Sequence, residues 1–546
     1  MQGREDFGTL KWAMIEDLVA GAKFFFRLPS FLRQAVNVEE ARAILCRRLE
    51  RREEDFLTFV RQGIYDRSRN PLRTLLRCVG CEYGDLARLV RGEGVEGALL
   101  MLFRRGVYLT VDEFKGRQPV RRGSTTFTVN PGQLRNPLTS VHFVKQSGGS
   151  RGKGIQVGLG LASVRDRAVN LALFLAARGG LGWRHALWGV PGRSSIHILL
   201  RFTAGGAVPI RWFSQVDPAA AGLHPRYRWS VRVMRWGSLV GGVPLPSPEY
   251  VSLEDPLPIA RWMAETLRSG STPHLFTFVS SAVRLCRVAG RAGIELDGAK
   301  LWVTGEPVTA ERLAVIRAVG AEPTPQYGAS ESGSPIGYGC LRAAFPDDLH
   351  LLQDLHAMIQ PGPDGPASGL PPLALLISSL SSTAPFTLLN VSLGDQAVME
   401  RRRCGCPLET LGWTAHLHAL RSFEKLTAGG VVFLDAEVIR VLEEVLPSRF
   451  GGGPTDYQLV EDEAQDGQPR LRLLVHPSVG PLSPAEVADA FLAAVSAGSG
   501  AERVVGHVWR DGKFLRVERR PPLAMASGKI LHLHSVPTTA SGSPAS

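Results

Sequence analysis

A chain of 546 residues has room for about three or four domains of roughly 150 residues each, and for a large buried core. Hydrophobic residues at 44% and charged residues at 21% are ordinary globular usage and exclude wholesale disorder. The 63 Lys and Arg against 51 Asp and Glu leave a net charge of +12, carried mostly by Arg along the whole chain. So diffuse an excess is weaker evidence for nucleic acid than a basic stripe, and fits equally an enzyme that handles polyanionic cofactors such as nucleotides.

Met1 to Phe7 is polar and mixed in charge, with none of the features of a secretory signal. No window approaches the ~18 uninterrupted apolar residues of a transmembrane helix. The stretch Trp12 to Leu32 is interrupted by Glu16, Asp17, Lys23 and Arg27 and reads as an amphipathic helix packed on the body of the protein. From Val38 to about Gly116 the pattern is helical, with Ala41, Ile44, Leu45 and Leu49 recurring between charged positions. Val141, Phe143 and Val144 read as a short buried strand running into a glycine- and serine-rich loop. Between Leu161 and Ala289 helices alternate with short apolar strands such as Ala186 to Val190, the pattern of an α/β body with a largely parallel sheet.

Lys300 to Gly305 reads as a strand ending in glycine, followed by a helix from Thr309 to Val319 with Thr309 as N-cap and Gly320 as C-cap. Gln360 to Gly369 is a Pro/Gly loop, and Ala374 to Asn390 supplies two strands. Beyond Arg421, strands at Tyr457–Glu463, Arg470–His476, Val504–Trp509 and Phe514–Glu518 surround a helix at Pro484–Ala497, a small α+β unit. Ser535 to Ser546 is a Ser/Thr/Pro/Ala-rich tail. Seven Cys, an odd number, argue for a reducing compartment, and the expected location is cytoplasmic.

The loop Ser147-Gly148-Gly149-Ser150-Arg151-Gly152-Lys153-Gly154 directly follows a predicted strand. Glycines let backbone N–H groups turn inward around phosphate oxygens, and the hydroxyls of Ser147 and Ser150 with the Lys153 ammonium add donors. It is not a Walker A loop: the spacing from Gly148 to Gly152-Lys153 is one residue short, and Gly154 stands where a magnesium-binding Ser/Thr belongs.

Further elements follow in order: Gly305-Glu306-Pro307, Tyr327-Gly328-Ala329-Ser330-Glu331-Ser332-Gly333, Gly394-Asp395, Arg421, and Ala526-Ser527-Gly528-Lys529-Ile530. With this ordered set, from about Val141 to Ile530, the chain resembles the adenylate-forming superfamily of acyl-CoA synthetases and adenylation domains, and within it the phenylacetate–CoA ligase branch. The resemblance implies that the glycine-rich loop and Gly305, Glu306 and Pro307 bind ATP. It implies that Tyr327 stacks on adenine, Gly328 keeps the backbone close to the ligand, and Ser330 donates to the α-phosphate. Glu331 would hold Mg2+, whose hardness suits carboxylate oxygen. Asp395 and Arg421 would hold the ribose, although Leu393 and Leu420 stand where that superfamily usually has Thr or Ser, and Gly. Glu424 falls at the position of the hinge acid. Lys529, delivered by a mobile C-terminal domain, would neutralise the charge that builds as a carboxylate attacks the α-phosphate.

Cys404-Gly405-Cys406 is a tight pair of thiolates, and Cys340 and His350 complete a Cys₃His set suited to structural Zn2+, with His356 able to replace His350. The branch is similar in carrying a Cys and a His after the glutamate motif and a Cys-x-Cys after Gly-Asp.

The expected fold is α/β: a helical region over residues 1–139 that forms one large domain with an α/β core over 140–421, then a small mobile α+β domain over 422–534 and a flexible tail over 535–546. The expected activity is ATP-dependent conversion of a carboxylic acid to an acyl-adenylate with pyrophosphate release, then acyl transfer to a thiol, coenzyme A first among acceptors. An acyl-protein synthetase or a non-catalytic nucleotide-binding descendant is the alternative, and nucleic acid is not an expected partner. The acid pocket is expected beside Phe276 to Arg284 and the loop from Gly305, where Phe276, Phe278 and Val279 suggest an aromatic or aliphatic acid.

Overall fold

The computed structural model describes residues 21–146, 155–190, 192–217, 225–364, 368–423, 426–428, 431–433, 435–463, 469–496, 515–524 and 528–535. The glycine-rich loop, the predicted strand at 504–509, residue 424 and the tail beyond 535 lie outside them.

A helix over 21–32 buries Phe24, Leu28, Phe31 and Leu32, the one-sided spacing of an amphipathic helix laid on a larger body. The helix Val38–Glu50 is capped by Asn37, whose side chain accepts from Glu40 N at 2.8 Å. Glu39 and Glu40 lie in its first turn and Arg47 and Arg48 in its last, signs that match the helix dipole. Helices Arg52–Val60, Pro71–Cys78 and Tyr83–Arg104 complete the helical region. A small hairpin, β1 (Val120–Arg122) and β2 (Thr125–Phe127), follows, then a second, β3 (Phe143–Gln146) and β4 (Gln156–Leu159). The strand expected from Val141 begins two residues later, at Phe143, although His142 N already donates to Leu159 O at 2.8 Å.

Among the described residues, twelve strands hydrogen-bond into one sheet. They are β5 (Arg184–Gly189), β6 (Arg211–Ser214), β7 (Pro248–Tyr250), β8 (Pro273–Phe278), β9 (Lys300–Thr304), β10 (Glu322–Tyr327), β11 (Gly337–Gly339), β12 (Leu349–Leu351), β13 (His356–Ile359), β14 (Ala374–Ser379), β15 (Val391–Arg401) and β16 (Ala415–Ser422). The order β7-β6-β5-β8-β9-β10 is parallel throughout, and β10-β11-β12-β16-β15-β14-β13 is antiparallel throughout. Parallel neighbours require crossovers, here helices such as Val279–Arg291 and Ala310–Arg317, so the carboxyl ends of β8, β9 and β10 share one edge. Thr309 caps the second of these helices, accepting from Arg312 N at 3.3 Å.

The run Ala374 to Asn390 holds one strand rather than the two expected. After Ser379 the chain leaves the sheet, Phe386 bridges to Arg135, and Asn390, at φ +51°, turns the backbone into β15. Two hydrophobic clusters fill the large unit, and a third, separate one belongs to the C-terminal unit. That unit carries a hairpin of β17 (Leu426–Ala428) and β18 (Val431–Phe433). Its four-stranded sheet has the order β21-β20-β19-β22, formed by β19 (Tyr457–Glu463), β20 (Pro469–Val475), β21 (Leu515–Arg519) and β22 (Leu533–Ser535), with the helix Pro484–Ser496 between β20 and β21 in the chain. Among the described residues no helix is long and apolar enough to cross a membrane.

Candidate active site

Three adjacent strand ends build the site. Phe278 of β8 is in register with Thr304 of β9, and Thr304 with Gln326 of β10, so the turns that begin at Gly305 and Gly328 emerge side by side. The turn after β10 is closed by its own backbone, Gly333 N donating to Ser330 O at 3.0 Å and Ser334 N to Ala329 O at 2.9 Å. It carries Glu331, which is buried and whose carboxylate accepts no hydrogen bond from any described residue. The ring of Tyr327 is buried at the end of β10, and its hydroxyl donates to Asp395 Oδ2 at 2.8 Å. Burial first, then the Asp395 carboxylate, push the Tyr327 hydroxyl well above its ordinary pKa, so it stays a donor.

Lys529 comes from the C-terminal unit and lies in this group. A Cβ on Gly305, whose φ is +82°, would stand 2.9 Å from Lys529 Cε and 3.2 Å from its Nζ, so the lysine occupies the space that only glycine leaves. Its ammonium is 5.8 Å from the ring centroid of Phe278. Burial pulls the Lys529 pKa down, while Glu306, Asp395 and Glu331 act to keep it charged. The preceding Gly528 is also left-handed, at φ +83°, and a Cβ there would collide with Gln215 and stand 2.9 Å from Val190 Cγ2. Lys145 of β3 is a second buried cation: burial lowers its pKa to about 8, with Glu331 opposing the shift.

The Lys529 segment is held by a buried charge network. Glu306 accepts from Ser280 N and Oγ, each at 2.8 Å, and from Ile530 N at 3.0 Å, and pairs with Arg312 at 3.2 Å. Arg312 pairs in turn with Glu443 of the C-terminal unit at 2.5 Å and meets His532 Nε2 at 2.8 Å, while His532 also bonds Glu443. Thr309 donates to the same Glu443 at 2.5 Å. Burial alone would raise the Glu443 pKa, yet Arg312 and His532 bring it down to about 2. Glu306, expected at the nucleotide, is therefore spent on protein donors, and so is the Pro307 carbonyl, which accepts from Arg312 at 3.3 Å. These contacts tie the Lys529 segment to the turn after β9.

Arg421 is not brought to Asp395. In the β15–β16 register Asp395 faces Ser422 and Arg421 faces Gln396, and the Arg421 guanidinium bonds Asp347 at 3.3 Å. The expected acid-pocket residues also divide. Phe278 meets Lys529, whereas Phe276 packs on Trp302 and Phe202, and Val279 lies in the core. Ser147, Gly148, Gly149, Ser150, Gly152 and Lys153 lie outside the described residues, but the β3–β4 hairpin that frames them is in register from Phe143↔Leu159 to Gln146↔Gln156.

Away from the cleft, Cys340, His350, Cys404 and Cys406 form the expected cluster, their ligand atoms all within 4.8 Å of one another. His350 Nε2 lies 3.2 Å from Cys406 Sγ and 3.6 Å from Cys404 Sγ, and its Nδ1 donates to Trp413 O at 2.6 Å. That carbonyl selects the tautomer with Nε2 free for a metal, the usual outer support of a zinc-bound histidine. His356 points its Nε2 at Pro335 O, 3.1 Å away, so His350 is the histidine of this cluster. Asp348 and His416 approach Cys340 as well, but are bonded to each other at 2.8 Å.

Sequence reasoning passed over Lys145, Gln215, Ser280, Arg312, Glu443 and His532. Only the alternation of β3, which turns Lys145 inward, offered a local signal.

No protein-family model and no curated protein matches the chain. Among solved structures it is similar to 2-hydroxyisobutyryl-CoA ligase in the postadenylation state in complex with R3-HIB-AMP, with a TM-score of 0.54, 14% identity, and 92% of this chain and 91% of that one covered. It is less similar to an anthranilate CoA ligase in complex with anthranoyl-AMP, with a TM-score of 0.41, 12% identity, and 76% and 68% covered. The O-succinylbenzoate coenzyme A synthetase from Bacillus subtilis, in complex with ATP and magnesium ion, gives a TM-score of 0.40, 14% identity, and 72% and 69% covered. The first of these shows a shared fold across nearly the whole of both chains.

Proposed function

We propose that the chain is an AMP-forming acid–thiol ligase of the adenylate-forming superfamily, similar to the phenylacetate–CoA ligase branch. It activates a carboxylic acid with ATP and passes the acyl group to a thiol, coenzyme A in the first place. The observation that carries this reading is the Lys529 side chain, which comes from the C-terminal unit and lies against Gly305 among Glu306, Glu331 and Asp395. A fold shared with a CoA ligase over about nine-tenths of both chains supports it.

In the first step a carboxylate oxygen of the acid attacks the α-phosphorus. The bond from that phosphorus to the β-bridging oxygen breaks, and pyrophosphate leaves with the electron pair. Lys529 places its ammonium where charge accumulates, in a site whose burial strengthens the attraction. Asp395 holds the Tyr327 ring in place and offers carboxylate oxygen to ribose hydroxyls. Glu331 fits a magnesium ion, being a buried carboxylate with no protein donor among the described residues, and the ion would supply charge neutralisation to the β- and γ-phosphates. In the second step the thiol, having lost its proton to solvent, attacks the acyl carbon as thiolate, the bond from that carbon to the phosphate oxygen breaks, and AMP leaves with the electron pair.

The deciding experiment is acid-dependent ATP–pyrophosphate exchange screened over aryl, fatty and amino acids. One class should exchange, and no exchange with any class would overturn the reading. Adding coenzyme A to the active acid should give a thioester. Pyrophosphate release without a thioester would transfer the acceptor role to a protein.

Cys340, His350, Cys404 and Cys406 are proposed to hold a structural zinc, closed to substrate because all four tetrahedral positions are filled. Metal analysis of the purified protein should find one zinc per chain, lost in a Cys404→Ser/Cys406→Ser variant together with thermal stability. A protein that folds and melts identically with and without chelator would refute the site.

A further inference from the structure

The helix over 21–32 and the helix Pro225–Val240 lie side by side, and together they present a face unlike the rest of the surface. Trp229 and Trp236, seven residues apart on one side of the second helix, are 64% and 66% exposed, and Phe26 of the first is 79% exposed. Leu239 and Val240 are each more than half exposed as well. Phe25, Trp229, Arg232, Val233, Trp236 and Val240 line a shallow groove of about 400 Å3. Apolar surface gathered in this way is uncommon on a protein that meets only water.

The two helices pack closely. A Cβ on Gly237 would stand 2.7 Å from Leu28 Cδ2, and one on Gly241, just past the helix, 3.2 Å from Pro29 Cα, so both positions leave room that a larger residue would fill. Arg33 ties them further by donating to Val240 O at 3.3 Å. Phe24 packs edge-on against Phe143 of β3, centroids 5.9 Å apart, which couples the pair to the hairpin leading into the glycine-rich loop.

Among the described residues of the two helices, 21–32 and 225–240, every charged side chain is basic, and Lys23, Arg27, Arg232 and Arg235 are exposed. Exposed Trp beside long cationic side chains suits the boundary between water and lipid, where indoles rest at headgroup depth and Arg and Lys reach phosphates. Single-stranded nucleic acid also takes aromatic and basic groups, but Leu239 and Val240 extend the face with exposed aliphatic surface, which acyl chains cover better than bases do.

We propose that this two-helix face docks the protein on an anionic membrane surface, Trp229, Trp236 and Phe26 entering the headgroup layer and Arg232, Arg235, Lys23 and Arg27 meeting lipid phosphates. The inference is independent of the activity proposed above.

The test is flotation of the full-length protein with vesicles of phosphatidylglycerol and phosphatidylcholine in equal parts, against vesicles of phosphatidylcholine alone. Binding is expected only to the anionic vesicles and should weaken as salt rises. A Trp229→Ser/Trp236→Ser variant and an Arg232→Gln/Arg235→Gln variant should each lower the partition about tenfold or more, with circular dichroism and melting temperature unchanged. Free inorganic phosphate at millimolar concentration should not compete, since lipid rather than the bare anion is the ligand. Absence of binding, or binding indifferent to both variants, would overturn the proposal. So would a variant that melts at a lower temperature, which marks the face as covered by the chain itself, or one that converts a dimer to a monomer, which marks it as a contact between copies. Capture of a single-stranded oligonucleotide in place of vesicles, lost in the same variants, would overturn it in favour of nucleic acid.

Discussion

Replacing Lys529 with alanine is expected to lower acid-dependent ATP–pyrophosphate exchange by about 10²–10³-fold, the loss found when one preorganised charge-stabilising group is removed from a reaction centre. The effect should fall on the turnover rate more than on the apparent affinity for ATP, because the ammonium faces charge that develops as pyrophosphate leaves. Supplying the protein with a preformed acyl-adenylate and a thiol should bypass the defect, since that half of the reaction builds no charge on a transferring phosphoryl group. Gly305→Ala tests the same contact from the other side. Its Cβ would stand 2.9 Å from Lys529 Cε, on a backbone whose φ of +82° disfavours any side chain, and exchange should drop although every candidate polar group remains. An alanine at position 529 with full exchange activity would remove the basis for assigning the cleft.

Glu443→Gln is expected to be the most destabilising single change in the C-terminal unit, at about 3–5 kcal/mol, because it strands the buried Arg312 with half of its counter-charge gone. Denaturant unfolding followed by tryptophan fluorescence measures this directly. Replacing Arg312, Glu443 and His532 together by apolar residues of similar size should cost less than the single change, since no unpaired charge is left buried. The pH dependence has a definite sign. The Glu443 pKa is lowered to about 2 from an ordinary value of 4.5, so its contribution is fully present above about 4.5 and is lost as pH falls from there toward 2. A Gln variant as stable as the parent at neutral pH, with the same acid transition, would show that the network carries no net stability.

Much of this arrangement is legible in the sequence wherever a short segment has its own reason to be what it is. Lys300 to Thr304 ends in a glycine that must be a glycine, Thr309 is an N-cap by composition, and the turn after Tyr327 gathers small residues around one carboxylate. Asp395 stands out only through the resemblance of Gly394-Asp395 to a family motif, and Lys529 because lysines are scarce in this Arg-rich chain and this one sits in Ala-Ser-Gly-Lys-Ile. The charge network is not legible, since Arg312 reads as one more polar position of an amphipathic helix and its partner His532 is 220 residues away. For the same reason nothing near Glu306 in the sequence announces the donors that fill its carboxylate, Ser280 and Ile530. The place of Arg421 is set by strand pairing that no local spacing reveals: Gln396 rather than Asp395 stands opposite it, and its guanidinium reaches Asp347.

The Glu306–Arg312–Glu443–His532 cluster would also constrain any swing of the C-terminal unit that the proposed activity calls for. Its contacts lie on both sides of the junction, so a partial displacement would strand opposite charges in a medium too dry to solvate them, while a full swing would let water reach both halves. Intermediate tilts are thus the least favourable, and the unit should behave as a catch with discrete positions rather than as a loosely tethered flap. Catalytic turnover in such a device would be paced by how often the catch lets go.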